Sequence, residues 1–316
     1  MQDTGAPTDY LVVVGASAGG IEALIEMVSG LPADFQAPMV ITQHLDPRRP
    51  SHLAEILAQR GRLAVRVVEG REPLRPGVIY LVPADRQVEI ADHEVRLCDP
   101  SGSGPRPSVD VLFRGAAGAY GEQLIAVVLT GSDADAAAGA AVVKAAGGMV
   151  IIQNTSAARY PTMPASLAPA VVDVVADLER IGPLLYDLVR GAYLPSQPGD
   201  EVSLRDFLEG MRLQSGLDFT SYPMPAIRRR LQRRMAAVQT GQLTEYVRYV
   251  ADDPEEYQRL INSFLIQLTE FFHDPELYAY LREQVLPELI AGAERRGRDL
   301  RLWWAGCATG QEAYSL

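Results

Sequence analysis

The chain has 316 residues, 47% of them hydrophobic and 22% charged, with a formal net charge of −11. This length leaves room for two ordinary domains, and the composition excludes a disordered or fibrous chain. The acidic balance argues against non-specific binding to nucleic acid or to an anionic membrane. The two cysteines, Cys98 and Cys307, lie far apart and imply neither a disulfide framework nor a metal site. The start MQDTGAPTDY lacks the features of a signal peptide, and no apolar run reaches the roughly 18 to 20 residues of a bilayer span, so a cytoplasmic location without membrane insertion is expected.

From Tyr10 onward, short apolar runs alternate with helix-length stretches: LVVVGA, IEALIEMVSGL, APMVITQHL, HLAEILAQR. Uninterrupted apolar strands separated by helices predict a doubly wound, mostly parallel α/β sheet covered on both faces. VIYLVPA then reads as a strand, QVEIADHEVRLC as a hairpin and PSVDVLFRGAAGAYG as a helix. QLIAVVLTG and GGMVIIQN read as buried strands, with AAAGAAVVKAAG helical between them. The Pro, Gly and Ser of GAYLPSQPGDEVS mark a boundary near Leu194.

Beyond it, SLRDFLEGMRLQSG, PAIRRRLQRRMAAVQTG, LTEYVRYVADD and PEEYQRLINSFLIQLTEFF carry apolar residues at three- and four-residue spacing and predict a small all-α domain. PELYAYLREQVLPELIAGAERR predicts a further helix or helix pair. DLRLWWAGCATGQEAYSL predicts a strand, a Gly-containing turn and the opening of a helix, the start of a second α/β domain. The expected division is 8–192 for the first domain, 193–203 for a linker, 204–275 for the helical domain and 276–316 for the last segment.

Three residues of the first domain are candidates for chemistry. In LVVVGASAGG, small residues around Ser17 allow a sharp strand-to-helix turn that exposes its hydroxyl at the carboxyl edge of the sheet. The same turn suits a phosphate or dinucleotide, although GASAGG matches neither G-x-G-x-x-G nor the P-loop, and the chain's single lysine, Lys144, lies elsewhere. His44 follows the next strand and is a candidate base by position, whereas His52 and His93 read as structural or solvated. Asp135, just past IAVVLTG, could orient an imidazolium, and its neighbour Asp133 could serve that role too. Together a Ser, a His and an Asp at one sheet edge form a coherent set.

The strings VVGASAGGIEAL, QHL, PADRQVEI, RPSVDVLF, LTGSDADAAAG, AAGGMVIIQN and YPTMPASL resemble, in that order and spacing, the catalytic domain of chemotaxis receptor methylesterases (CheB) over about residues 8–192. The resemblance implies hydrolysis of glutamyl methyl esters on chemoreceptor cytoplasmic helices, with deamidation of certain glutamines, and requires no cofactor or metal. It implies Ser17 as nucleophile, His44 as base, Asp135 as acid and the N–H of Ala18 in the oxyanion hole. In the acid loop the family has a Met and two glycines where this chain has Ser132, Asp133 and Ala136, and the charge of Asp133 is expected to raise the basicity of His44. With the strand before Ser17 beginning near residue 10, the family's receiver domain is not expected.

PAIRRRLQRRM, FLIQLTEFFHDPELY and WWAGCATGQEAYSL resemble the helical domain, linker helix and first cofactor turn of chemotaxis receptor methyltransferases (CheR). That resemblance implies S-adenosylmethionine contacts at Thr269, Gly306, Gly310 and Glu312, and receptor contacts at Arg228, Arg229, Arg230, Arg233 and Arg234. His273 stands where that family has an arginine and the sequence stops at Leu316, so methyl transfer is not expected of this chain. Two rival readings are a non-catalytic, receptor-binding fragment of a signalling fusion and a nucleotide-binding module.

Overall fold

The computed structural model describes residues 10–46, 48, 51–98, 107–191, 198–220, 222–265, 275–305 and 311–315. It divides into two compact units, Met1–Leu265 and Ile266–Leu316. In the first, β1 (Leu11–Ala16), β2 (Met39–Gln43), β3 (Ala64–Val67), β5 (Val78–Leu81), β8 (Leu124–Val128), β9 (Met149–Gln153) and β10 (Val174–Ala176) form a seven-stranded sheet in the order β10-β9-β8-β1-β2-β5-β3. All its pairings are parallel. The winding reverses at β1, which has β2 on one side and β8 on the other, and such a reversal opens a crevice at the carboxyl edge.

Successive strand residues point to opposite faces. Val12 and Val14 enter one core with α1 (Gly20–Ser29), α2 (Leu53–Arg60) and α6 (Leu178–Arg190), and Leu11 and Val13 enter the other with α3 (Val109–Tyr120) and α4 (Ala137–Ala145). Helices on both faces are why the strands read as continuous apolar runs. The predicted hairpin is β6 (Gln87–Ala91) and β7 (Glu94–Cys98), turned at Asp92 and His93 with φ of 50° and 58°, as a two-residue hairpin demands. Unforeseen in the sequence, β4 (Arg71–Pro73) pairs with β7, and this small antiparallel sheet packs Val88, Ile90 and Val95 into the α3 side of the core.

The helical part comprises α7 (Pro198–Ser215), α8 (Met224–Ala237), α9 (Leu243–Asp252) and α10 (Pro254–Phe264) around Leu208, Leu231, Tyr246 and Phe264. α7 opens at Pro198, inside the stretch expected as linker, because proline suits a first helical turn, where its missing N–H would have no partner. Asp253 caps α10, accepting the N–H groups of Glu255 and Glu256 ahead of which Pro254 stands.

The helical part packs with the sheet part in one unit. Ala236 of α8 joins the α6 side of the core, and the Gln232 amide donates to the Gly191 carbonyl at 3.1 Å. Arg229 and Arg230 both pair with Glu122, while Arg233 donates to the backbone carbonyls of Gly147 and Glu122. Glu122 and Gly147 precede β8 and β9, so α8 is fastened at the amino edge of the sheet.

The second unit holds α11 (Pro275–Tyr280), a π-helical turn Leu281–Val285, α12 (Leu286–Arg295) and α13 (Gln311–Tyr314). The strand expected over RLWW is not formed. A strand needs a hydrogen-bonded neighbour, and among the described residues of this unit there is no other strand to supply one. No helix among the described residues is long and apolar enough to cross a membrane.

Candidate active site

Three adjacent strands end at one place. Ser17 follows β1, His44 follows β2, and the loop carrying Asp133 and Asp135 follows β8. The Ser17 turn is fixed from three directions. Its N–H donates to the Thr130 carbonyl at 3.0 Å, and its carbonyl accepts from Gly20 N–H at 2.9 Å and from the Gln43 amide at 2.8 Å. Gly19 stands at φ 73°, a left-handed conformation open to glycine. A Cβ on Gly20 would collide with Gln43 Oε1 and lie 2.8 Å from Ala16 Cβ, so Gln43 can clamp the turn only against a glycine.

Among the described residues, the N–H groups of Ala18 and Gly19 donate to no protein acceptor. They lie at the head of the ten-residue helix α1, where orphan N–H groups and the positive end of the helix dipole favour a developing negative charge. The Thr130 hydroxyl, 3.1 Å from the Ala18 carbonyl, and the Tyr160 N–H, which donates to that hydroxyl at 2.9 Å, lock this turn to the segment bearing YPTMPASL.

His44 sits with its ring between carboxylates, its side chain 15% exposed. Nε2 lies 2.9 Å from Asp135 Oδ2, and Nδ1 lies 3.2 Å from Ser17 Oγ and 3.1 Å from Asp133 Oδ2. Burial of the ring lowers the imidazole pKa, but the hydrogen bond to Asp135 and the negative charges of Asp133 and Asp135 outweigh it, leaving a net rise above the ordinary histidine value. For Asp135, burial acts to raise the carboxyl pKa, and the bond to His44 with donors from Val109, Asp110 and Ser108 overcomes it, so the net shift is downward.

Those donors come from the head of α3. Asp135 Oδ2 accepts the Val109 N–H at 2.7 Å, and Oδ1 accepts the Asp110 N–H at 3.1 Å and the Ser108 hydroxyl at 2.9 Å. Ser108 is also the N-cap of α3. One carboxylate thus closes a helix start and grips the imidazole. Sequence reasoning gave Ser108 and Gln43 no role, although each had a visible signal: a serine opening the helix in RPSVDVLF, and a glutamine ending the apolar run before His44.

Asp133 takes the place nearest the hydroxyl. Ser17 Oγ donates to its Oδ2 at 2.9 Å, and its Oδ1 accepts the Asp135 N–H at 3.0 Å. Of the other histidines, His93 meets the Tyr120 hydroxyl at 3.2 Å and His52 lies beside Glu55 at 3.7 Å.

The remaining candidates are placed unevenly. Arg229, Arg230 and Arg233 are engaged at the sheet edge as described, and Arg234 pairs with the fully buried Glu256, to which the Tyr246 hydroxyl donates at 2.7 Å. Arg228, on the same helix, is also engaged. Thr269, Gly306, Gly310 and His273 lie outside the described residues, and of Glu312 only the backbone is described, in α13.

Residues 12–185 match the family model described as CheB methylesterase. Residues 203–265 match that of the CheR methyltransferase all-alpha domain, and 267–316 that of the CheR methyltransferase SAM binding domain. A 104.1 kDa protein of Rhodobacter capsulatus is 32% identical over 84% of this chain and 31% of its own length. Protein-glutamate methylesterase/protein-glutamine glutaminase 2 of Anaeromyxobacter dehalogenans is 38% identical over 57% of this chain and 53% of its own. The chain therefore spans from a third to a half of these relatives. The crystal structure of the Thermotoga maritima CheB methylesterase catalytic domain, 33% identical, superposes with a TM-score of 0.54 over 57% of this chain and 98% of that one.

Proposed function

Because the chain belongs to the CheB methylesterase family, with CheR-type segments following, we propose that it hydrolyses glutamyl methyl esters on the cytoplasmic helices of chemoreceptors. The observation that carries this reading is the hydrogen-bonded row from Ser17 Oγ through His44 to Asp135 at the switch point of the sheet. Ser17 Oγ attacks the ester carbonyl while His44 Nδ1 takes its proton, and Asp135 stabilises the imidazolium through Nε2. The N–H groups of Ala18 and Gly19 receive the oxyanion. As the tetrahedral adduct collapses, His44 returns the proton to the departing methoxy group, releasing methanol. Water then repeats the sequence on the acyl-enzyme with His44 again as base.

The same acyl chemistry on a glutamine side chain would release ammonia, the second activity in the relatives' names. Neither reaction requires a metal or cofactor in this scheme, and the setting is cytoplasmic. A receptor contact through Arg228, Arg229, Arg230, Arg233 and Arg234 would compete with their present partners and draw α8 off the sheet. The CheR matches point to S-adenosylmethionine, a methyl donor, as a ligand of the second unit, and the side chains read for it lie outside those described, so no step is derived through it.

The test is methanol release from a methylated receptor fragment together with labelling by a serine-directed fluorophosphonate. Both are expected from the full chain and both should vanish in a folded Ser17→Ala protein. Retention of methanol release by that variant would remove Ser17 from the mechanism.

A further inference from the structure

Ser17 Oγ, His44 Nδ1 and Asp133 Oδ2 form a closed triangle with edges of 2.9, 3.1 and 3.2 Å. Asp135, supplied by three donors from the head of α3, is an ionised acceptor and takes the hydrogen on Nε2. If His44 were neutral, Nδ1 would then hold only a lone pair, and the triangle would contain one hydrogen, that of Ser17. One hydrogen serves one edge well, and Ser17 donates it to Asp133 at 2.9 Å. The Nδ1 lone pair would face a carboxylate oxygen at 3.1 Å, an acceptor against an acceptor. A second hydrogen, on Nδ1, removes that conflict and satisfies the site.

We propose that Asp133 holds the resting site in a proton-loaded form, with His44 doubly protonated between Asp133 and Asp135 and the Ser17 hydroxyl donated to Asp133 instead of the base. The groups facing His44 are Ser17 from the β1–α1 turn and the two aspartates from the loop after β8, with Ser108 and Asp110 behind Asp135 at the head of α3. The segment at Tyr160 meets the site through backbone bonds to Thr130 and Gly131. Among the described residues, neither aspartate pairs with a lysine or arginine.

Turnover then begins with a loss. The Nδ1–H bond breaks and its proton passes to water by way of Asp133, whose side chain is 35% exposed. The Ser17 hydrogen then turns from Asp133 to the vacated Nδ1, and the hydroxyl is ready to attack. The kinetic side of this inference rests on the esterase reading, whereas the protonation of His44 does not.

The experiment is a side-chain NMR titration of His44 in the full chain, assigned by its loss in His44→Gln, comparing wild type with Asp133→Asn. The amide oxygen keeps an acceptor for the Asp135 N–H, and the charged oxygen that faces Ser17 and Nδ1 is replaced by a neutral NH2 group. The His44 midpoint is expected to fall by about one pH unit or more in Asp133→Asn and to be restored in Asp133→Glu. The acid limb of kcat/KM should move down with it, so that well below the wild-type limb the Asn variant is relatively about tenfold or more closer to its own plateau. If Asn does not fold there, Asp133→Ser is read in the same way. Coincident midpoints in wild type and the neutral variants overturn the inference. A shifted midpoint with no turnover by any of the proteins upholds it and overturns the esterase reading instead.

Discussion

Asp135 meets His44 through Nε2, at 2.9 Å, which leaves Nδ1 as the nitrogen that faces Ser17. The carboxylate thereby fixes the tautomer, because an ionised Asp135 can only accept and Nε2 must carry the hydrogen.

Asp135→Asn can turn its amide N–H toward Nε2 and stabilise the opposite tautomer, with Nδ1 protonated and unable to accept from Ser17. Methanol release is expected to fall by about four orders of magnitude with little change in KM. Asp135→Ala additionally strands the Ser108 hydroxyl and the Val109 and Asp110 N–H groups, so it should lose about 1–3 kcal/mol in urea denaturation, and Asp135→Asn, which keeps an oxygen for Ser108 and Asp110 and strands only the Val109 N–H, should lose less.

Gly20→Ala places a methyl group against Gln43 Oε1 and Ala16. Relieving that overlap pushes out the side chain that holds the Ser17 carbonyl. The expected results are a stability loss of about 1–3 kcal/mol and fluorophosphonate labelling slowed by at least about tenfold. Unchanged labelling in a stable Gly20→Ala protein would show that the clamp is not needed to place the hydroxyl.

The pKa of His44 is raised on folding, so its contribution to stability is fully present below the unfolded value of about 6.5 and is lost as pH rises through the folded value. That of Asp135 is lowered, so its contribution is present above the unfolded value of about 3.9 and is lost as pH falls through the folded one. His44→Gln should therefore destabilise the protein more at pH 5.5 than at pH 9, as measured by the difference in urea midpoints from wild type. An equal difference at both values would contradict the charged pairing.

Glu122→Gln leaves Arg229 and Arg230 without their common anion in a site where all three side chains are largely buried. A loss of about 2 kcal/mol is expected, below the figure for a fully enclosed pair because Glu122 retains 27% exposure. Fluorophosphonate labelling should be retained, since Glu122 precedes β8 and Ser17 lies at the other edge.

Much of this arrangement could be read from the chain. The apolar runs ending at Ala16, Gln43 and Val128 were visible as strands, and the Ser17 turn, His44 and the Asp133–Asp135 loop each follow one of them. Their convergence depends on β8, β1 and β2 being neighbours, an order that periodicity does not encode and long-range pairing decides. β3 and β10, of four and three residues, were missed because so short a segment has no measurable period. The arginines of α8 are assigned from the sequence to receptor contacts. Their inward use depends on Glu122 and the Gly147 carbonyl, about a hundred residues away in sequence. Asp133 was visible as an extra charge, but its hydrogen bond to Ser17 is a fact of loop conformation.

The seat of α8 at the amino edge puts the bundle and the serine at opposite ends of the sheet. The helical bundle is moored to the stern of the sheet, at Glu122 and Gly147, while Ser17 lies at the bow, only 8% exposed. Strand β8 joins the two ends directly, its five buried residues lying between Glu122 and the aspartate loop. A partner that pulled on α8 would thus strain the same strand that presents Asp133 and Asp135, giving the two halves of the chain a mechanical line to one another across a span of about 17 Å.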